Sequence, residues 1–309
     1  MKYKDWLNIW LENYIKPTAK RRTYESYFLI AEQHIKARIG DEELDEINPI
    51  KLQQLVIGLM KNGNLLTGGG LSANSVNGII TVIQGSLKSA YTIGETKKYI
   101  ADRIKRPRAR EKSVTCFSLS EQRKIEQAVF SDKRSKMFGV VLCLYTGLRI
   151  GELLSLEWSD VDFSEGTLSV TKTCHDGHDE NGRLCRITDT PKTAASRREI
   201  PLPKRIIQLL REHRRNSKSD YIISSNEKPL YIRSYQRNFD SLLKELGISH
   251  KGFHSLRHTF ATRAIECGMD VRTLSEILGH KSPTITLNRY AHSMTEHKRE
   301  MMNKLGKML

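Results

Sequence analysis

Apolar residues in the first hundred positions recur every three or four residues, which predicts helices over Tyr3 to Tyr14, Thr23 to Arg38, Pro49 to Lys61 and Ser72 to Ile93. Between the last two lies Lys-Asn-Gly-Asn-Leu-Leu-Thr-Gly-Gly-Gly, residues 61 to 70. It reads as a connector, because a phosphate cradle needs a preceding strand and a following Lys-Ser or Lys-Thr. Lys20, Arg21 and Arg22 precede the second helix, with Thr23 as its N-cap; the tripeptide suits phosphate contacts and equally a solvated charge run. From Arg103 to Lys112, six of ten residues are Lys or Arg around Pro107, with little to bury. Such a stretch is a linker that stays extended and gains order on a polyanion, with Arg106, Arg108 and Arg110 as phosphate contacts. The divisions expected are a helical domain over 1–107, a basic linker over 108–115, a second domain over 116–292 and a tail helix over 293–309.

The second domain mixes periods. Thr115 to Leu119 reads as a strand, and Ser120 as the N-cap of a following helix. Gly166 to Thr173, with Leu168 and Val170 inward, Arg183 to Thr188 and Arg198 to Leu202 read as three short strands of one antiparallel sheet, with Lys192 in the last turn. From Lys251 to Glu266, Phe253, Leu256, Phe260 and Ala264 line one side of a helix, leaving His254, Arg257, His258 and Ala261 on the opposite flank. Gly268 closes that helix, Asp270 caps the next over Val271 to Leu278, and Gly279 ends it, so His280 falls just past a helix end. Ser282 and Pro283 then open a short helix reaching Tyr290. The expected class is mainly α with a small antiparallel β-sheet: two domains, the first helical and the second α+β.

At 309 residues the chain suits two domains, and 51 Lys plus Arg against 35 Asp plus Glu leave a formal charge of +16. An extended polyanion is the partner such an excess implies. No signal sequence or long apolar helix points to a membrane, and Val140 to Leu144 is far too short to span one. Five scattered cysteines, Cys116, Cys143, Cys174, Cys185 and Cys267, argue for reduced thiols in a cytoplasm. Cys174, His175, His178 and Cys185 surround a hairpin tip, but their spacing matches no common structural zinc pattern, and no metal or other cofactor is assigned.

Cleaving a phosphodiester without a metal needs a nucleophile, positive charge on the nonbridging oxygens and a proton for the departing alkoxide. Arg149 and Arg257 offer planar forks of donors that lysine could not replace. Glu152, three residues after Arg149, is placed to hold that guanidinium or to accept from a neighbouring imidazole. Tyr290 is the nucleophile candidate, a phenol with an ordinary pKa near ~10 that becomes competent once cations stabilise its phenolate. His258 receives no role.

Three blocks carry a resemblance: Leu144-Tyr145-Thr146-Gly147-Leu148-Arg149-Ile150-Gly151-Glu152-Leu153, then Pro191-Lys192-Thr193 ahead of Ser196-Arg197-Arg198-Glu199-Ile200-Pro201-Leu202, then His254-Ser-Leu-Arg257-His258 with Leu278-Gly279-His280 and Asn288-Arg289-Tyr290. In this order they resemble the tyrosine recombinases, the phage-integrase family, closest in texture to integrases of temperate phages and conjugative transposons. The resemblance implies a core-site-binding helical domain, a catalytic domain, and cleavage and rejoining of DNA strands through a 3′-phosphotyrosine for integration and excision of a mobile element. It makes Lys192 the proton donor to the leaving 5′ oxygen, with His254 and His280 binding or relaying protons at the phosphate. It further implies double-stranded core sites, a homo-tetramer on DNA that exchanges tails between protomers, room for a DNA-bending accessory factor, and a nucleoid-associated bacterial or phage-encoded protein. No arm-binding N-terminal domain is visible, so the protein uses simple core sites or a leading segment is missing from the chain. A topoisomerase of type IB chemistry and a non-catalytic DNA-binding relative are the alternatives; the complete residue set weighs against the second and the tail, with Met294, Met301, Leu305 and Met308 on one stripe, against the first.

Overall fold

The computed structural model describes residues 1–109, 114–131, 135–179, 181–189, 197–225, 228–290, 302–303 and 305–306, apart from the side chains of Ser135 and His178. The chain divides into two compact units, Met1–Lys112 and Ser113–Leu309.

In the first unit, α1 (Tyr3–Trp10) runs on through a widened turn, Leu11–Ile15; α2 (Arg21–Ile30) continues in the same way to Ile39; α3 is Pro49–Asn62 and α4 Ala73–Ile93. The aromatic face of α1 explains its docking. Tyr3, Trp6, Leu7 and Trp10 are buried, and their polar ends all find partners on α4: Tyr3 Oη lies 2.7 Å from Ser86 Oγ, Trp6 Nε1 donates to the Ser86 carbonyl at 2.9 Å and Trp10 Nε1 to Ser89 Oγ at 3.0 Å. Asn48 and Ser72 cap α3 and α4, each accepting from the backbone N–H three residues on. The glycine-rich connector is a closed loop, with Asn64 N donating to the Gly69 carbonyl at 2.8 Å and Asn64 Oδ1 accepting from Leu66 and Thr67. Thr23 is not the cap of α2: Lys20 takes that position, and the helix starts at Arg21. Nor is the basic stretch empty of buried groups. Ile104 is buried in the core of this unit, and the Arg106 guanidinium donates to the Asn77 carbonyl, Thr81 Oγ1 and Gln84 Oε1 on α4.

The second unit is built round α6 (Phe138–Thr146), whose apolar side chains are almost all buried, preceded by α5 (Leu119–Ser131) and followed by α7 (Ile150–Leu154). Residues expected as a strand before α5 are coil: Phe117 N donates to Thr259 Oγ1 and the Phe117 carbonyl accepts from Arg263, so the segment is tied to side chains rather than to a ladder. The cap of α5 is Ser118, not Ser120, in a capping box where Ser118 N donates to Glu121 Oε2 at 2.7 Å and Glu121 N to Ser118 Oγ at 3.2 Å.

The expected single three-stranded sheet is replaced by two. β1 (Val161–Asp162), β2 (Thr167–Val170) and β5 (Arg198–Pro201) form one antiparallel sheet; β3 (Thr173–His178) and β4 (Leu184–Asp189) form a separate hairpin, and β6 (Ser224–Ser225) pairs with β7 (Lys228–Pro229). The strand expected over Gly166 to Thr173 is shorter in the structure: inward Leu168 and Val170 pair with Ile200 and Arg198, and the chain then leaves the sheet. The hairpin is instead anchored by Asp176, which accepts from Ile232 N and Arg233 N at the start of α9 (Ile232–Glu245), the helix after α8 (Lys204–Arg215). Cys174 and Cys185 pair across the hairpin with Thr188 and Gly177, not with each other.

The last three helices, α10 (His254–Glu266), α11 (Val271–Leu278) and α12 (Pro283–Tyr290), carry the final sequence block. Both flanks of α10 are buried, Leu256 in the main core and Ala261, Ala264 and Ile265 in a smaller cluster with Leu274, Leu278 and Tyr290. Gly147 (φ 65°) and Gly279 (φ 63°) end α6 and α11 in the left-handed region; at Gly147 a Cβ would also meet Phe260 Cδ1 at 2.6 Å.

Candidate active site

Three helix-to-loop transitions bring the site together, and the last carbonyls of α11 are its anchor. A helix C-terminus leaves carbonyls without intrahelical donors and carries the negative end of the helix dipole. Here the acceptors Ile277, Leu278 and Gly279 each receive one arginine: Arg198 Nε bonds Ile277 O, Arg257 Nη2 bonds Leu278 O at 2.7 Å and Arg149 Nη2 reaches Gly279 O at 3.4 Å. Arg257 Nη1 also donates to the Gly147 carbonyl at 2.8 Å, locking the two left-handed turns together.

Glu152 organises two of these cations. Its carboxylate receives Arg149 N at 2.9 Å and Arg149 Nη1 at 2.7 Å, and a fork from Arg198 at 3.2 and 2.9 Å. Arg198 comes from the start of β5, two residues before Ile200 and so on the same inward face, which leaves its side chain only 5% exposed. Burial alone would raise the Glu152 pKa; the bonds and charges of Arg198 and Arg149 outweigh it and hold the carboxyl at about 2. Arg198 stands inside the second sequence block, yet nothing in its spacing marked it as a partner of Glu152.

His254, Arg257 and His258 share a flank of α10 as the helical spacing predicts, and the two imidazoles meet edge to face at 4.6 Å. His280 Nδ1 lies 2.7 Å from the buried Thr286 Oγ1 on α12, so the loop ring is held by the helix that bears the tyrosine. Loss of water, then the surrounding arginines, push His254 and His280 down to about 4; for His258, loss of water and then His254 and Arg289 lead, to about 3. Burial and the neighbouring positive charges both disfavour a second proton on each of the three rings. A bound anion would oppose the arginines' part of this shift, though not the larger part that comes from burial.

Tyr290 ends α12 and is buried, 2% exposed, against Ala261, Ala264, Ile265, Leu274 and Leu278. Its Oη lies 2.7 Å from His258 Nδ1, and Arg289 Nη2 lies 3.3 Å from the Nε2 of the same ring. Burial pushes the phenol up to about 12 against the pull of Arg257 and Arg289, so it rests protonated rather than at its ordinary value. His258 and Arg289 are thus site residues that received no role from sequence; the i, i+4 relation of His258 to His254 was the signal available.

Lys192, and Arg110 among the basic residues, lie outside the described residues. In the first unit Lys20, Arg22 and Arg108 are exposed, Arg21 Nε pairs with Glu25 Oε1 at 3.0 Å and Arg106 is held by α4. Among the described residues no group of three or more His, Cys, Asp or Glu could hold a metal ion, and no helix is long and apolar enough to cross a membrane. Most of the tail expected over 293–309 also lies outside them; Leu305, within a described fragment, is 45% exposed.

The profile of the phage integrase family matches residues 119–297, and that of the phage integrase N-terminal SAM-like domain matches residues 2–60. The chain belongs to the phage integrase family. It is a site-specific recombinase of the tyrosine type, as the sequence blocks implied. A tyrosine recombinase XerC-like protein of Caldanaerobacter subterraneus subsp. tengcongensis is 27% identical over 98% of this chain and 82% of its own length. The fold matches the Tn1549 transposon integrase in complex with transposon right end DNA, at TM-score 0.80 and 21% identity over 99% of this chain and 100% of that one. It also matches a lambda integrase tetramer bound to a Holliday junction, at TM-score 0.69 and 21% identity over 92% of this chain and 79% of that one.

Proposed function

We infer that this recombinase acts on double-stranded core-type sites of a mobile element, with Tyr290 as nucleophile. Arg149 and Arg257 grip the nonbridging oxygens, Glu152 sets Arg149, Lys192 protonates the leaving 5′ oxygen, and His254 and His280 bind the phosphate or relay protons. The observation that carries this reading is a buried phenol whose Oη lies 2.7 Å from His258 Nδ1, on the helix that follows the three arginines gathered at the end of α11. Arginine charge lowers the cost of the attacking phenolate, and attack by the phenol conserves the bond energy as a phosphotyrosine. The enzyme works in the cytoplasm as a tetramer on DNA, its tails reaching neighbouring protomers as in the expectation from sequence. The test is to trap a covalent adduct on a nicked core site and map it: the modified peptide is expected to carry Tyr290.

Two further results are expected. Binding draws on the charge of +16, through Lys20, Arg21, Arg22, Arg106, Arg108 and Arg110 among others. If about six or more phosphates are neutralised, affinity falls by about 10³ or more between roughly 50 and 200 mM salt. A nearly flat plot of log K against log salt, measured by fluorescence anisotropy, contradicts the DNA footprint. Second, Lys192→Ala slows cleavage of ordinary DNA by about 10²–10⁴ if it is the general acid. A substrate whose 5′-bridging atom is sulfur needs no proton on departure and restores the rate; failure of that rescue moves the acid role, with His254 next in line.

A further inference from the structure

His258 is left without a task by the roles above, yet it touches the reacting atom. Its Nδ1 is 2.7 Å from Tyr290 Oη, and its Nε2 faces Arg289 Nη2 at 3.3 Å. A guanidinium has donors only, so the lone pair that meets it is the unprotonated nitrogen, and a neutral ring then carries its proton on Nδ1. The ring is neutral because loss of water, with His254, Arg289, Arg257 and His280 around it, disfavours a second proton. The contact to Tyr290 therefore runs from Nδ1–H to the phenol oxygen. A base would need the opposite arrangement.

We propose that His258 is a catalytic donor that aims Tyr290 Oη and carries the charge of its phenolate, with Arg289 as the positioning residue that fixes the ring in the Nδ1–H form. This rests on Tyr290 being the nucleophile. In the cleavage step the bond from Oη to phosphorus forms and the bond from phosphorus to O5′ breaks; the phenol proton passes to water, and the departing oxygen takes one from the acid assigned to Lys192. A donor already in place for the anion costs no rearrangement at that moment, whereas the neutral phenol gains little from it. The arrangement is built from one helical turn: Arg257 reaches the Gly147 and Leu278 carbonyls and His258, one residue on, faces the tyrosine. Arg289, adjacent to Tyr290, closes it from α12.

The experiment compares full-length wild type, His258→Ala and His258→Asn in single-turnover cleavage of a nicked core site, with half-site binding and thermal unfolding measured beside it. His258→Ala is expected to bind within a few-fold of wild type and to cleave about 10²–10³ slower, the loss seen when one preorganised donor is removed. His258→Asn keeps an N–H at the Nδ1 position and recovers part of that rate. Placing a polyfluorinated tyrosine at 290, a phenol ionised near neutral pH, removes the need for the donor and narrows the gap between wild type and His258→Ala. A purely structural role predicts neither recovery, and finding neither overturns the proposal, as does wild-type cleavage by His258→Ala. Nitrogen-15 NMR of the histidines in the free wild-type protein tests it apart from activity: the His258 proton is expected on Nδ1 and to redistribute in Arg289→Ala, and a proton on Nε2 in the wild type overturns it. Absence of any adduct at Tyr290 in the wild type defeats the nucleophile assignment itself, an outcome distinct from a defect confined to the His258 variants.

Discussion

Tyr290→Phe is expected to form no covalent adduct on a nicked core site while binding the half-site within a few-fold of wild type. Phenylalanine keeps the ring that packs on Ala261, Ala264, Ile265, Leu274 and Leu278, so α12 retains its seat. What is lost is the oxygen. The change also leaves the His258 Nδ1 donor without its partner at 2.7 Å, and a buried unpaired group costs about 1–3 kcal/mol. The midpoint of chemical unfolding should therefore fall modestly, while the adduct, resolved on a denaturing gel, disappears outright. Adduct at the wild-type level in this variant sinks the assignment.

The parts of this site that are local in sequence were legible, and those that close over long distances were not. Asp270 and Gly279 bracket α11 as their types dictate, and Ser282 and Pro283 open α12, because caps and left-handed turns are decided within a few residues. The flank shared by His254, Arg257 and His258 followed from the helical period alone. The anchoring of Arg149, Arg198 and Arg257 on consecutive carbonyls at the end of α11 joins residues 130, 79 and 21 positions apart, and no periodicity encodes such closure. The strands erred for a related reason. Gly166 to Thr173 alternates only through Leu168 and Val170, and pairing decides where the strand stops: β2 ends where its partner β5 begins at Arg198. In the first unit, the fastening of Arg106 onto α4 ran against its reading as a linker charge that contacts phosphate.

Glu152→Ala is expected to lower stability by about 3–5 kcal/mol, because it strands the Arg198 guanidinium, only 5% exposed, without its carboxylate. Cleavage should fall with it, since Arg149 loses the bonds that orient it, and urea unfolding with single-turnover cleavage measures both. The acid dependence carries a sign. Folding lowers the Glu152 pKa from 4.5 to about 2, so its contribution is complete above the unfolded value and is lost as pH falls from there toward 2. Glu152→Gln should lack that portion of the acid-induced loss. The sharper result comes from replacing the pair together. Glu152→Leu with Arg198→Met removes both buried charges, and apolar residues of similar volume in place of a buried ion pair are often neutral or stabilising. Stability should therefore return toward wild type in the double variant. Arg149, however, would keep only its distant contact with the Gly279 carbonyl, 3.4 Å away, and cleavage should stay lost. Recovery of both stability and cleavage would mean that Glu152 serves the fold alone and that Arg149 finds its place at the phosphate unaided. Recovery of stability without cleavage separates the two tasks that one carboxylate performs here.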